Sequence, residues 1–145
     1  MTKPDNNGKE KDPLRVGGLV VGLEGRKDMV VAPRHLASAV GNFGSDVLST
    51  HEVVLLMELA AREAIEGYLP KGMITVGTHV DVRHQAAALL GTKVWANARL
   101  MAIKGRRLLF DVRAFDRLGV LASGENEQLM VRQQEFLDRV HRRSA

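Results

Sequence analysis

The spacing of apolar residues along the chain changes at Gly72. From Ser49 to Leu69 apolar residues recur at helical intervals, and the first half of this stretch is apolar on nearly every side. Ser49 and Glu52 have the spacing of a capping box, which predicts that a helix starts here and ends before Pro70. A helix that is apolar all round is typical of one enclosed by other structure. The pattern therefore predicts a long, buried central helix.

Beyond Gly72 apolar and polar residues alternate, which is the period of a half-buried strand. Four strands are predicted there, over Met73–His84, Thr92–Ile103, Arg107–Asp116 and Val120–Val131. The connections between the last three strands are short enough for hairpins. The other predicted elements are an irregular strand or hairpin over Leu14–Val31, a short helix over Arg34–Val40, a loop over Gly41–Asp46 and a short amphipathic helix over Arg132–Arg143.

A strand, a loop, a long buried helix and then four antiparallel strands joined by tight turns make an α+β pattern. An antiparallel sheet wrapped around one long central helix is the hotdog fold. The 145 residues suffice for one core, and the first 13 carry no large apolar side chain except that of Met1. We therefore predict a disordered leader over 1–13 and a single domain over 14–145. Because such a sheet leaves an edge strand unpaired, we also expect a homodimer.

The composition excludes several classes of function. Cysteine is absent, which rules out disulfides, thiolate metal ligands and a cysteine nucleophile. The longest apolar runs are too short for a membrane span and no secretory signal opens the sequence, so we expect a cytoplasmic protein with no membrane partner. The net charge of +4 attracts anions, whereas 4% aromatic residues offer few surfaces for base stacking. A phosphate-bearing small molecule therefore fits better than a nucleic acid as partner.

Three polar residues stand out from this pattern. Glu58 has mostly apolar helical neighbours, His84 ends the first strand after the helix on its inner face, and Thr50 lies at the mouth of the helix, where free backbone donors favour an anion. Each also has a structural explanation, and the pattern leaves both open. Glu58 is placed for an ion pair with Arg62, His84 for a hydrogen bond at the rim of the core, and Thr50 for a helix cap.

The strand that ends at His84 also contains a string that resembles metal-ligand spacing. His79, Asp81 and His84 are the three possible ligands. Because side chains alternate along a strand, His79 and Asp81 share one face and His84 lies on the other, so the three cannot meet at one ion. We therefore predict no metal site.

The spacing Thr50-x7-Glu58, followed by T-V-G-T-H-V-D-V-R-H over 75–84, resembles the thioesterases of the fluoroacetyl-CoA thioesterase-like hotdog family. The resemblance covers about Val30–Phe136 and includes the G-R-R at 105–107. It implies hydrolysis of the thioester of a small acyl-CoA by a catalytic set of Thr50, Glu58 and His84. Glu58 would act as nucleophile or general base, His84 would shuttle the proton or stabilise the departing thiolate, and Thr50 would position Glu58 or the water.

The resemblance also implies contacts to the substrate. A backbone N–H near Gly77 is the candidate for polarising the thioester oxygen, because a glycine permits close backbone approach. Phe43 lies in the loop that would cover the acyl group, whose identity stays open. No cofactor is implied, since CoA is part of the substrate. The candidates for binding the CoA phosphates, which can equally be solvated charges of the sheet, are Arg99, Lys104, Arg106, Arg107 and Arg113.

Two other classes of function compete with the thioesterase. A hotdog hydratase or dehydratase would act on an enoyl-CoA without releasing free thiol. A non-catalytic acyl-CoA-binding protein would bind CoA esters and leave them intact. Release of free thiol from an acyl-CoA therefore distinguishes the thioesterase from both.

Overall fold

Residues 18–144 are described by a computed structural model, in which they form one five-stranded sheet and two α-helices. The strands are β1 (Glu24–Val30), β2 (Met73–His84), β3 (Lys93–Lys104), β4 (Arg107–Asp116) and β5 (Gly119–Arg132). The helices are α1 (Thr50–Ile65) and α2 (Gln133–Ser144), and two 3-10 helices, Pro33–His35 and Ala37–Val40, replace the single short helix predicted there. The predicted leader, 1–13, lies outside the described residues.

The sheet is antiparallel throughout, with the strands in the order β1-β3-β4-β5-β2. The predicted hairpins between β3 and β4 and between β4 and β5 are present. The prediction that all four strands after α1 follow one another through tight turns is wrong, because β2 pairs with β5. Residues 85–92 carry the chain from β2 back across to β3, beside β1. The two edges of the sheet are therefore β1 and β2.

Helix α1 lies across the inner face of this sheet and supplies the centre of the core. Its buried residues form a stripe of Val53, Leu56, Met57, Ala60, Ala61, Ala64 and Ile65. The strand residues that face the stripe alternate along β3 and β4, as Val94, Ala96, Ala98 and Leu100, and as Leu108, Phe110, Val112 and Ala114. The predicted buried central helix is confirmed.

The ends of α1 differ from the prediction in two respects. Ser49 is the N-cap residue, but its side chain makes no cap hydrogen bond, and its hydroxyl oxygen is buried without a partner among the described residues. The capping box with Glu52 is not formed, because Ser49 is turned into the core. The helix ends at Ile65 rather than Leu69, because Gly67 adopts a φ of 81°, in the left-handed region that terminates helices.

Strand β2 contains a β-bulge. Its register with β5 shifts between Gly77 and His79, which leaves Thr78 as an extra residue opposite Glu127. Residues that pair directly across an antiparallel sheet share a face, and Gly77 pairs with the fully buried Gln128. Gly77 therefore faces α1.

The bulge decides which other residues of β2 face α1. Beyond it, Val80, Val82 and His84 are on the inner face, as predicted. Before it, the inner residue is Thr75 and not Val76, although the unbroken alternation predicted from the sequence would put Val76 on the same face as Val80. The extra residue reverses the alternation of the strand.

The amphipathic helix predicted at the end of the chain is present as α2. No residue of α2 is fully buried, and its main contacts are with β5. Across residues 18–144, no helix combines the length and the apolar character needed to cross a membrane.

Replacing Gly25 with alanine tests how closely β1 packs on α1. The added methyl group would clash with the backbone of Ala60 and Ala64, so one element would have to move. We expect Gly25→Ala to lower the free energy of unfolding by about 1–3 kcal/mol in urea denaturation. The control is Asn97→Ala on the exposed face of β3, with an expected change below about 0.5 kcal/mol. Wild-type stability of Gly25→Ala would contradict this packing.

Candidate active site

The first turn of α1 and the end of β2 meet at Thr50 and His84. The Thr50 Oγ1 and His84 Nδ1 atoms are 2.9 Å apart and share a hydrogen bond. The other ring nitrogen, Nε2, is buried and has no partner among the described residues. A buried polar atom without a partner is costly, so Nε2 is the atom of this pair that a ligand or water would engage.

The carboxylate of Glu58 lies against the backbone of Gly77. A Cβ atom added to Gly77 would clash with Glu58 Oε1, so a larger residue at this point of β2 would displace the carboxylate. The other oxygen, Oε2, accepts a hydrogen bond from Arg62 at 3.2 Å, which is the ion pair that the sequence offered as an alternative. The Glu58 side chain is 21% exposed. The ion pair and the contact with Gly77 thus exist together, one on each carboxylate oxygen.

These two pairs of residues are not in contact with each other within one chain. Glu58 follows Thr50 by about 12 Å along the helix axis, at a rise of about 1.5 Å per residue. Gly77 and His84 are separated by about 20 Å along β2, at about 3.3 Å per residue of the paired strand. The structure therefore brings Thr50 to His84 and Glu58 to Gly77, but it does not bring Glu58 to the Thr50–His84 pair of the same chain.

Phe43 lies in the loop before α1, at the Thr50–His84 end of the site. This loop is joined to the segment after β2, since the N–H of Leu48 donates to the carbonyl of Ala88 at 2.9 Å. Phe43 itself is 87% exposed. A ring this exposed makes few contacts within its own chain. Within one chain, Phe43 therefore does not line the site.

Arg106 and Arg107 lie at the opposite end, in and beside the turn between β3 and β4. Arg107 pairs with Leu129 of β5, and the other side of Leu129 pairs with the residue of β2 that precedes Gly77. The turn therefore lies at the Gly77 end of the sheet. Both arginines are exposed. The guanidinium of Arg107 is held by Glu127, with Nε 2.5 Å from Oε1.

A chain of hydrogen-bonded polar groups beside Gly77 is not predicted from the sequence. Thr75 Oγ1 donates to Gln128 Oε1 at 2.8 Å, and Gln128 Nε2 donates to Asn126 Oδ1 at 3.0 Å. Gln128 and Asn126 are buried on the inner face. The spacing of two residues between Asn126 and Gln128 indicates that the two side chains share a face of the sheet. Residues 123–128 are polar on both faces, however, so alternation alone does not show which face points inward.

The structure separates the possible metal ligands of β2 as expected. His79 and Asp81 pair with Glu127 and Glu125, whereas His84 pairs with the buried Ala122 on the inner face. In the part of the chain that the structure describes, no group of three or more histidine, aspartate or glutamate residues is arranged to hold a metal ion.

The sequence of this chain is similar to those of known thioesterases. The sequence model of the family described as fluoroacetyl-CoA-specific thioesterase matches residues 31–134. The fluoroacetyl-CoA thioesterase of Streptantibioticus cattleyicolor is 33% identical over 133 residues, which are 88% of this chain and 96% of that protein.

Two solved structures extend the comparison to the fold. The crystal structure of a mutant of the fluoroacetyl-CoA-specific thioesterase has a TM-score of 0.79 and 30% identity, covering 86% of this chain and 97% of that one. A hot-dog-like protein from Thermanaerovibrio acidaminovorans has a TM-score of 0.80 and 26% identity, covering 86% of this chain and 93% of that one. The predicted hotdog fold and the predicted class, an acyl-CoA thioester hydrolase, are confirmed. The chain belongs to the fluoroacetyl-CoA-specific thioesterase family.

Proposed function

We propose that this chain releases the free acid and CoA from a small acyl-CoA with Glu58, His84 and Thr50 as its catalytic residues. The observation that carries this assignment is the Glu58 carboxylate, which is half-buried and lies directly against the Gly77 backbone. A thioester carbonyl held by a backbone N–H beside Gly77 would be within reach of that carboxylate. The bulge supports this role, because the extra residue, Thr78, has no register partner in β5 and interrupts the regular ladder beside Gly77.

Glu58 supports two routes to hydrolysis. As general base, it takes a proton from a water whose oxygen attacks the carbonyl carbon. As nucleophile, its own oxygen attacks that carbon, and water then hydrolyses the resulting anhydride. In either route the carbon–sulfur bond breaks, and the departing CoA thiolate takes a proton from His84. The hydrogen bond with Thr50 fixes the imidazole and leaves Nε2 to deliver that proton.

A second copy of the chain completes this site in our proposal. The separation of about 12 Å along α1 keeps Glu58 away from Thr50 and His84 of its own chain. A two-fold arrangement would place Glu58 of one copy near the Thr50–His84 pair of the other. The uncovered inner side of β2 supports such a dimer, since Gly77 is exposed there and Val80 is 43% exposed although it faces inward. As an edge strand, β2 also offers its outer backbone groups for pairing.

The substrate class follows from the relatives and from the basic turn. The relatives are named for fluoroacetyl-CoA, and for this chain we propose the wider class of short acyl-CoAs. Arg106 is the better candidate for a CoA phosphate, because it is exposed whereas Arg107 is paired with Glu127.

Glu58→Gln removes the charge of the carboxylate and keeps its shape. We expect it to lower kcat by about 10²–10⁴-fold, because the base or nucleophile is lost. The measurement is release of free thiol from a panel of short, branched and aromatic acyl-CoAs. The control is Glu66→Gln, an exposed glutamate just after α1, which should keep the wild-type kcat. An active Glu58→Gln would refute the carboxylate mechanism, and a wild-type protein silent on the whole panel would favour the hydratase or the binding protein.

Substitutions of the other two residues should have graded effects. His84→Ala is expected to lower kcat by about 10²–10⁴-fold, because the proton donor is lost. Thr50→Ala is expected to lower it by only about 10-fold, because the imidazole keeps its chemistry and loses its orientation. Thr50→Ser retains the hydroxyl and is the control, with activity close to wild type. Equal losses in Thr50→Ala and Thr50→Ser would show that the hydroxyl has no such role.

A further inference from the structure

The bulge of β2 is held from the outer face of the sheet by a cluster that the proposed chemistry does not use. Thr78 Oγ1 donates to Glu127 Oε2 at 2.9 Å and to the Glu127 main-chain carbonyl at 3.3 Å. Arg107 Nε donates to the other carboxylate oxygen, Oε1, at 2.5 Å. Thr78 is the extra residue of the bulge, and Glu127 is the residue opposite it. One carboxylate thus joins the bulge to the G-R-R turn at 105–107.

Glu127 is suited to holding the bulge in one geometry. Its side chain is 13% exposed, although the guanidinium that it binds is on a side chain that is 62% exposed. Hydrogen bonds from Arg107 and Thr78 hold the pKa of Glu127 below its usual range, so the carboxylate is ionised at neutral pH. Hydrogen bonds to a charged acceptor are stronger than those between neutral groups. Both carboxylate oxygens therefore hold their partners firmly.

The geometry of the bulge determines the geometry of the site. Gly77 and His84 are an odd number of residues apart, so in a regular strand they would face opposite sides of the sheet. With Thr78 inserted, both face α1, and the Gly77 backbone reaches the Glu58 carboxylate. A displacement of about 1 Å in a reacting group can cost about 10²-fold in rate. A change in the bulge would therefore alter hydrolysis by moving the Gly77 backbone, while the side chains of Glu58, His84 and Thr50 stay unchanged.

We propose that Arg107, Glu127 and Thr78 are positioning residues that act through the backbone of Gly77 and Thr78. This inference rests on the proposed roles of Glu58 and Gly77. In this proposal Arg107 binds Glu127 of its own chain, whereas the family resemblance suggested that it binds a CoA phosphate. The cluster sets the distance and orientation of the backbone that faces Glu58.

The first test compares kcat and KM of matched variants. Glu127→Gln and Thr78→Val are expected to lower kcat by about 10–100-fold with KM changed less than about 3-fold, because alignment is lost while the substrate contacts are kept. Thr78→Ser keeps the hydroxyl and should restore wild-type kcat. The control is Asp111→Asn, which removes an outer-face carboxylate paired with Arg113 at 3.3 Å and should leave kcat unchanged. Wild-type kcat in Glu127→Gln and Thr78→Val would overturn the proposal.

The second test is hydrogen exchange of the β2 backbone, which needs no activity. Exchange over 75–80 is expected to be at least about 10-fold faster in Glu127→Gln and Thr78→Val than in wild type or Asp111→Asn, because the bulge opens more often. Unchanged exchange in those two variants would overturn the proposal. If the wild-type protein releases no thiol from any acyl-CoA, the proposed function fails, while the exchange rates still decide whether this cluster fixes the bulge.

Discussion

The bulge at Thr78 is the constraint on which the candidate site depends. A regular strand would direct Gly77 and His84 to opposite faces, and only one of them would meet α1. One extra residue in β2 puts both on the inner face, so that Glu58 meets the Gly77 backbone and Thr50 meets the His84 ring. The same strand therefore contributes to both halves of the candidate site, and the interactions that fix the bulge also fix the geometry of that site.

Much of the fold could be predicted from local patterns, because α1 and the strands each have a clear hydrophobic period. The order of the strands could not, since pairing of β2 with β5 rather than β3 is a long-range choice. The bulge was also hidden, because Val76 and Val80 are both apolar and the sequence reads as unbroken alternation through Thr78. The hydrophobic period of a strand predicts which face of the sheet a residue occupies only where the strand contains no bulge.

The candidate site was predictable to a similar degree. Glu58 and His84 stand out in the sequence, because a carboxylate among apolar helical neighbours and an inward-facing histidine are unusual. The structure places both on the inner layer. The partners of these residues could not be read from the sequence. The pairing of Thr50 with His84 depends on how β2 crosses α1, and the pairing of Arg107 with Glu127 depends on the hairpins that bring β4 beside β5.

The rigid length of α1 keeps Glu58 from the Thr50–His84 pair of its own chain, so a mixed dimer can show whether two copies share each site. Chains carrying Glu58→Gln and chains carrying His84→Ala can be co-expressed with two different tags and purified as mixed dimers. If two copies share each site, one site of every mixed dimer is intact, and thiol release should return to about half of the wild-type rate. If the three residues act within one chain, both sites are defective, and a mixed dimer as inactive as its two parents would contradict the account.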